Sequence, residues 1–278
     1  MVGTKHKSLK TTLNYTATIV FLLIMIFPFI YLVLNSFASW DQVDKKLIPT
    51  SYSLRSWQWL FGNHVTAAPA PWIKAFLHTF IISTISVVLM MIFAVMVAYA
   101  LAKIQFRGKK FVDNFIMFQM FFPGIILLIP QFLLVTKIGW IDSYQGMILP
   151  TAVSLWAIFM YTNFFKAIPD TLIESARLDG ASDMQILFKI VVPMSKSITT
   201  VIFLFLYTER WTTLLWDMIV SKSDSTVTLN VLISQMFGPY GTYPGPMYAA
   251  SVLLTLPLIF LFLLFSRNFQ EGMQYTLK

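Results

Sequence analysis

The chain has 278 residues, of which 57% are apolar and 12% charged, and its mean hydropathy is +0.72; a soluble domain carries about 25% charged residues, so this composition belongs in a membrane. Without cysteine it can form neither disulfides nor thiolate metal sites, and His6, His64 and His78 stand too far apart to make a ligand motif. The net charge of +8 concentrates in the loops on one side of the chain's spans, which makes it a topology signal, and no nucleic-acid surface is expected.

A spanning helix needs about 20 mainly apolar residues. A basic tail, 1–13, carries Lys5, Lys7 and Lys10 and leads into a first span at 14–37. That apolar run is longer than the roughly 7–15 residues of a signal-peptide core, so it reads as a retained span. The second span is expected at 75–103. The loop behind it holds Arg107, Lys109 and Lys110, with Lys103 at the span's end, and no acid. The third span is expected at 111–135, followed by a loop whose one basic residue is Lys137. The fourth, 144–165, ends in a charged loop at 166–192. The fifth, 193–220, leads to a long loop containing "GPYGTYPGP", Gly238–Pro246, whose glycines and prolines stop any regular element. The sixth, 247–266, closes a transmembrane domain over 14–268 and precedes a tail at 269–278. Pro28, Pro123, Pro130, Pro150 and Pro257 fall inside spans, which membrane helices tolerate when neighbours re-satisfy the freed backbone groups. By the positive-inside rule both termini, the 104–110 loop and the 166–192 loop are cytoplasmic. The expected class is an all-α polytopic membrane protein with six spans and no internal repeat.

The 166–192 loop resolves into two short helices. Pro169 sets a start. Thr171 and Glu174 have the spacing of a capping box, as do Ser182 and Gln185. Gly180 fits the left-handed position that ends a helix. The second helix runs through "MQILFKIVV" to Pro193 at the entrance to the fifth span. Apolar Leu172, Ile173 and Ala176 lie among the small residues Ser175, Gly180 and Ala181, which permit close approach of another surface. Local features fit an amphipathic hairpin resting on headgroups, with Glu174 as a cap, and equally a docking knob for a soluble partner.

The spacing is more specific than either local reading. Glu174-Ser175-Ala176 is followed by Arg177-Leu178-Asp179, then Gly180, and after nine residues by Ile190-Val191-Val192-Pro193. It resembles the E-A-A, three residues, G, nine residues, I-x-L-P motif of permease subunits of ATP-binding-cassette (ABC) importers, with Ser175 and Val192 at an Ala and a Leu of that motif. "LNSFASWDQV", "SWQWLF", "ERWTTLLW" and the closing "MYAASVLLTLPLIFLFLLFSRNFQEGMQYTLK" are similar to the carbohydrate branch, in particular to the shorter permease of maltose-type systems. Thr212 and Asp217 stand where the branch commonly has Asn and Pro after Trp211, so no substrate contact is carried over.

The resemblance implies the type I importer permease fold in a bacterial cytoplasmic membrane. It implies a coupling loop at 166–192 in which Glu174, Ser175, Ala176, Leu178, Asp179, Gly180, Ala181, Ile190 and Pro193 form the contact with an ATPase. The implied partners are a second homologous permease, two ATPase subunits that bind ATP and Mg, and an extracytoplasmic substrate-binding protein. The implied cargo is a sugar, an oligosaccharide, in a lipid setting. The chain itself is expected to bind no cofactor and to catalyse nothing. It has no G-x-x-x-x-G-K-[ST] phosphate loop, because Gly108-Lys109-Lys110 lacks the first glycine and the Ser or Thr. Energy therefore has to enter through a mechanical joint.

Two further regions are candidates. Glu209 and Arg210 lie in the fifth span, where charge is expensive and faces an interior or a cavity. With Tyr207 and Trp211 they are the expected translocation path. Tyr207, Trp211 and Trp216 can stack on sugar rings or sit in an aromatic belt at the outer interface. Tyr240 and Tyr243, in "GPYGTYPGP", either meet the binding protein or belong to a plain connecting loop. Other readings are a non-sugar or sugar-phosphate importer of the same family, an ion-coupled secondary transporter, and a membrane enzyme. The transporter would need repeated halves and a midplane ionisable site, and the enzyme a catalytic cluster at the bilayer surface. The sequence shows neither.

Overall fold

The computed structural model describes residues 2–62, 71–238, 241–242 and 244–276, with side chains for 11–62, 71–236 and 244–266. Two compact units divide the chain: Met1–Ala70 with Ile233–Thr255, and Pro71–Leu232 with Leu256–Lys278.

In the first unit, α1 (Val2–Ser36) exposes apolar side chains continuously from Ile19 to Phe27. In water that surface would be untenable; in a bilayer it faces solvent of its own kind. The loop after α1 is held by Asp44, which sits at φ 59°. Its N–H donates to Asn35 Oδ1 at 3.1 Å, and its carboxylate accepts from the hydroxyls of Tyr31 (3.2 Å) and Tyr248. The short helix α2 (Arg55–Leu60) follows. Arg55 lies 4.1 Å over the Trp40 ring, and Trp40 Nε1 donates to Ser56 Oγ at 3.3 Å. Gly245 packs here so closely that a Cβ would lie 2.5 Å from Ser56 Oγ. Residues Phe237–Gly238 and Gly241–Thr242 form a minimal antiparallel pair, the only strands among the described residues.

The second unit is built around α3 (Trp72–Lys103). Its two formal charges, Lys74 and Lys103, lie near its ends. Ala75, Thr79, Ser83, Ser86, Ala94 and Ala98 line its buried face. Small side chains on one face let membrane helices approach closely, and α3 packs most extensively along α7 (Leu155–Ala167), then α11 (Lys196–Trp211). Ile73, Phe80, Ile81, Ile85 and Val88 face outward.

Three helices are each long and apolar enough to cross a membrane: Thr11–Ser36, Trp72–Lys103 and Pro244–Ser266, the last being the front of α14 (Pro244–Thr276). The expected spans 111–135, 144–165 and 193–220 are not single helices. The third breaks by 99° between α4 (Lys109–Gln119) and the Gly124–Lys137 segment that contains α5 (Leu128–Lys137). Pro123 stands at that break; it lacks a donor and disfavours helix in the residue before it. The fourth bends by 41° between Tyr144–Thr151, which opens with α6 (Tyr144–Ile148), and α7. Ser154 restarts the helix there by accepting from Ala157 N at 3.3 Å. The fifth turns by 84° at Ser195 and ends at Trp211; α12 (Leu215–Val220) is a separate piece. Hydropathy hides such breaks because the interrupting prolines and hydroxyls sit in apolar surroundings.

Candidate functional site: the charged hairpin and a buried ion pair

The hairpin begins with α8 (Asp170–Leu178), whose first residue follows directly on Pro169. The expected Thr171–Glu174 capping box is not formed, and α8 has no side-chain cap. A capping residue needs extended backbone, whereas Thr171 is already inside the helix, where its carbonyl accepts from Ser175 Oγ at 2.8 Å. The helix ends in a Schellman motif. Gly180, at φ 81°, donates its N–H to Arg177 O at 3.0 Å, and Ala181 donates to Ala176 O at 3.0 Å. The second helix, α9 (Asp183–Ile186), does open with a capping box: Ser182 N donates to Gln185 Oε1 at 2.9 Å and Gln185 N to Ser182 Oγ at 3.4 Å. A π-turn over Leu187–Val191 then feeds α10 (Val192–Met194), absorbing Pro193, which cannot donate and whose ring collides with a regular helical ladder.

Ile173 and Ala176 are buried beneath the hairpin, and Ala181 and Ile190 are half-buried. Glu174, Ser175, Asp179, Gly180 and Pro193 are exposed, and Leu178 is 90% exposed. Glu174 makes no hydrogen bond or ion pair among the described residues. A free carboxylate beside a fully presented leucine, on a helix closed by a Schellman turn, is an arrangement suited to contact with another protein.

Two residues of α3 hold this hairpin in place. The Lys103 side chain is only 3% exposed, and its Nζ donates to Ile168 O at 2.5 Å and to Asp170 Oδ1 at 2.6 Å. That hydrogen bond, with the lysine charge, holds the Asp170 carboxyl below its ordinary range. One turn earlier, Tyr99 OH donates to Asp183 Oδ1 at 3.0 Å. Arg177 Nη2 donates to the same oxygen at 2.9 Å, and this raises the Arg177 pKa. The sequence reading used Lys103 only as a topology charge and passed over Tyr99. Their i, i+4 spacing at a helix end was the available signal.

The expected path residues separate. Glu209 is exposed, and its carbonyl accepts from the hydroxyls of Thr212 and Thr213. Arg210 and Asp217 are both buried and paired bidentately, Nη2 to Oδ1 at 3.0 Å and Nη1 to Oδ2 at 3.2 Å. Arg210 also reaches Met147 O and Ser86 Oγ, each at 3.3 Å, so one guanidinium joins α3, α6, α11 and α12. Asp217, which stands where the family pattern has Pro, is the counter-ion. Trp211 is fully buried, edge-on to Phe76 at 5.8 Å and stacked on Tyr207 at 5.8 Å. Trp216 packs among Ile82, Val135, Met147, Ile148 and Val220. Tyr240 and Tyr243 lie outside the described residues.

A further clamp that the sequence reading missed centres on Asp142, at φ 57°. Its carboxylate accepts from the N–H groups of Lys222 (2.9 Å) and Ser223 (3.1 Å), from Ser223 Oγ (2.6 Å) and from the Thr226 hydroxyl. Partial burial pushes its pKa up, but these donors outweigh that and hold it at about 2.

The family model for binding-protein-dependent transport system inner membrane components matches residues 91–275. The chain belongs to this inner membrane component family. The matched range contains the hairpin, Tyr99, Lys103, Asp142 and the Arg210–Asp217 pair. Among relatives of the family, the polygalacturonan/rhamnogalacturonan transport system permease protein YtcP of Bacillus subtilis is 29% identical over 94% of each chain. The arabinooligosaccharides transport system permease protein AraQ of the same organism is 28% identical, covering 90% of this chain and 89% of its own. The fold matches a chain in the crystal structure of a bacterial ABC transporter involved in the import of the acidic polysaccharide alginate. The TM-score is 0.84 at 23% identity, over 95% of this chain and 98% of that one. An inner membrane component with this fold is an all-α membrane permease.

Proposed function

We propose that this chain is the translocating permease subunit of an ATP-driven importer that carries an oligosaccharide handed over by an extracytoplasmic binding protein. The observation that carries the reading is the hairpin: Glu174 unpaired among the described residues and Leu178 presented, on two short helices joined by the Gly180 turn and the Ser182–Gln185 capping box. Such a knob fits a cleft on a soluble ATPase and turns that subunit's movement into rigid-body movement of the spans. In this reading two ATPase subunits bind ATP and Mg, this chain binds neither, and a homologous permease completes the path. Both termini and the hairpin are cytoplasmic. The sugar cargo is supported by the relatives, which are named for transport of polygalacturonan/rhamnogalacturonan and of arabinooligosaccharides.

The test is made at the hairpin. Glu174→Lys reverses the free charge. Gly180→Asp puts a side chain on a backbone held at φ 81°, at a cost of about 1 kcal/mol. Each variant should still insert into the membrane while import per ATP hydrolysed collapses. Undiminished transport by both would remove the hairpin from the energy path. Because Glu174 is not a cap, Glu174→Gln should lower coupling through loss of charge alone, with unchanged stability of the insert.

A further inference from the structure

The hairpin is joined to the rest of its unit through two chain connections. One is the two-residue link Ile168–Pro169 from α7; the other is the 84° turn at Ser195 into α11. A body held at two points can swing about the line between them. Movement of a docked partner would then be lost as rotation of the hairpin. The structure supplies a third attachment from an element distant in sequence. The last turn of α3 grips the first residue of each hairpin helix: Lys103 holds Asp170, and Tyr99 holds Asp183. Lys103 also takes the Ile168 carbonyl, which fastens the α7 link itself.

The two grips differ in strength. The Tyr99 grip is a single hydrogen bond to Asp183, whose side chain is about half exposed and shared with Arg177. Lys103 is buried to 3% exposure, so removing its partners would strand a charge away from water. The α3 helix is continuous from this grip to Ser86, roughly 25 Å along its axis, where it meets Arg210 of the buried ion pair.

We infer that α3 is the rod that transmits movement of the hairpin to the centre of the span bundle, with Lys103 as its main positioning residue and Tyr99 as a secondary one. The inference rests on the proposed docking of the hairpin. It makes the hairpin and α3 one rigid body throughout the transport cycle.

The chain has no cysteine, so two spin labels can be placed at chosen sites within it, with cysteine-free partner subunits. Met184→Cys and Val88→Cys put them on exposed positions of the hairpin and of α3. In the assembled four-subunit complex, the label distance should be narrow and shift by less than about 2 Å between the nucleotide-free and the ATP- and vanadate-trapped states. With Lys103→Met the distribution should broaden and move on ATP binding, and Lys103→Arg should restore it. If Lys103→Met does not insert, Asp170→Asn reads the same joint, because it removes the ion pair while the amide oxygen and Ile168 O remain as acceptors for the buried lysine. A wild-type distance that shifts with ATP overturns the inference, as does an unaltered distribution in the Lys103 or Asp170 variant. The distance is read within this chain. Failure of the docking reading would instead show as ATPase subunits that do not co-purify.

Discussion

At the scale of single residues, Arg210 and Asp217 carry the highest stakes. Both are buried, at 3% and 2% exposure, and each is the other's compensation. Removing one partner of a buried pair typically costs about 3–5 kcal/mol, whereas replacing both with apolar residues is often neutral or stabilising. Asp217→Asn should therefore lower thermal stability in detergent sharply, and Arg210→Met with Asp217→Leu should recover most of it. If the recovered double variant also transports normally, the pair is structural and Arg210 is no part of the path. If it is stable but inactive, Arg210 acts on cargo or on the cycle. Half of this arrangement was legible in the sequence. A charge inside a span announces itself, and Arg210 was named on that ground. Its partner lies seven residues on, beyond the helix break at Thr212, and no periodicity connects the two across such a break.

At the scale of elements, Asp142 ties the turn before α6 to the loop after α12. Its folded pKa of about 2 lies below the roughly 3.9 of an unfolded aspartate. The sign follows: the clamp contributes fully above about pH 4 and is lost as pH falls through about 2. Protection of the Lys222 and Ser223 amides, taken relative to their intrinsic exchange rate at each pH, should fall over that window. Asp142→Asn should show the faster exchange already at neutral pH, since Asn accepts the left-handed backbone but offers one oxygen and no charge. Equal exchange in the two proteins at neutral pH would dismiss the clamp. The hairpin was the most legible element: Ser182, Gln185 and Gly180 take the cap positions their types imply, because capping is local chemistry. Thr171 misled because two start signals compete within three residues. Pro169 with the acidic Asp170 opens the helix two residues earlier than a Thr171 cap would require. The bends at Pro123 and Ser195 were invisible for another reason. A proline in a span is compatible with a kink, a break or a straight helix, and only the packed neighbours decide among them.

At the scale of the whole molecule, counting length against bilayer thickness picks out stretches of which three are single long helices and three are bent pairs among the described residues. Sidedness follows from a different force, the bias of Lys and Arg toward the cytoplasmic loops. In the proposed arrangement the 104–110 loop and the 166–192 hairpin share one side, and the Asp142 clamp lies on the other. The cysteine-free sequence makes this directly measurable. Arg107→Cys and Lys222→Cys, each as the single cysteine, report the two sides. In intact cells stripped of their outer barrier, a membrane-impermeant maleimide should label Lys222→Cys and leave Arg107→Cys unlabelled until the membrane is opened. The reverse pattern would place the hairpin outside, away from any ATP, and would end the proposed energy path at its first step. Agreement would fix the direction of the argument at every smaller scale. The hairpin would then face the ATP-containing side, α3 would lead from it into the bundle, and the Asp142 clamp would stiffen the face toward which the proposed binding protein would deliver cargo.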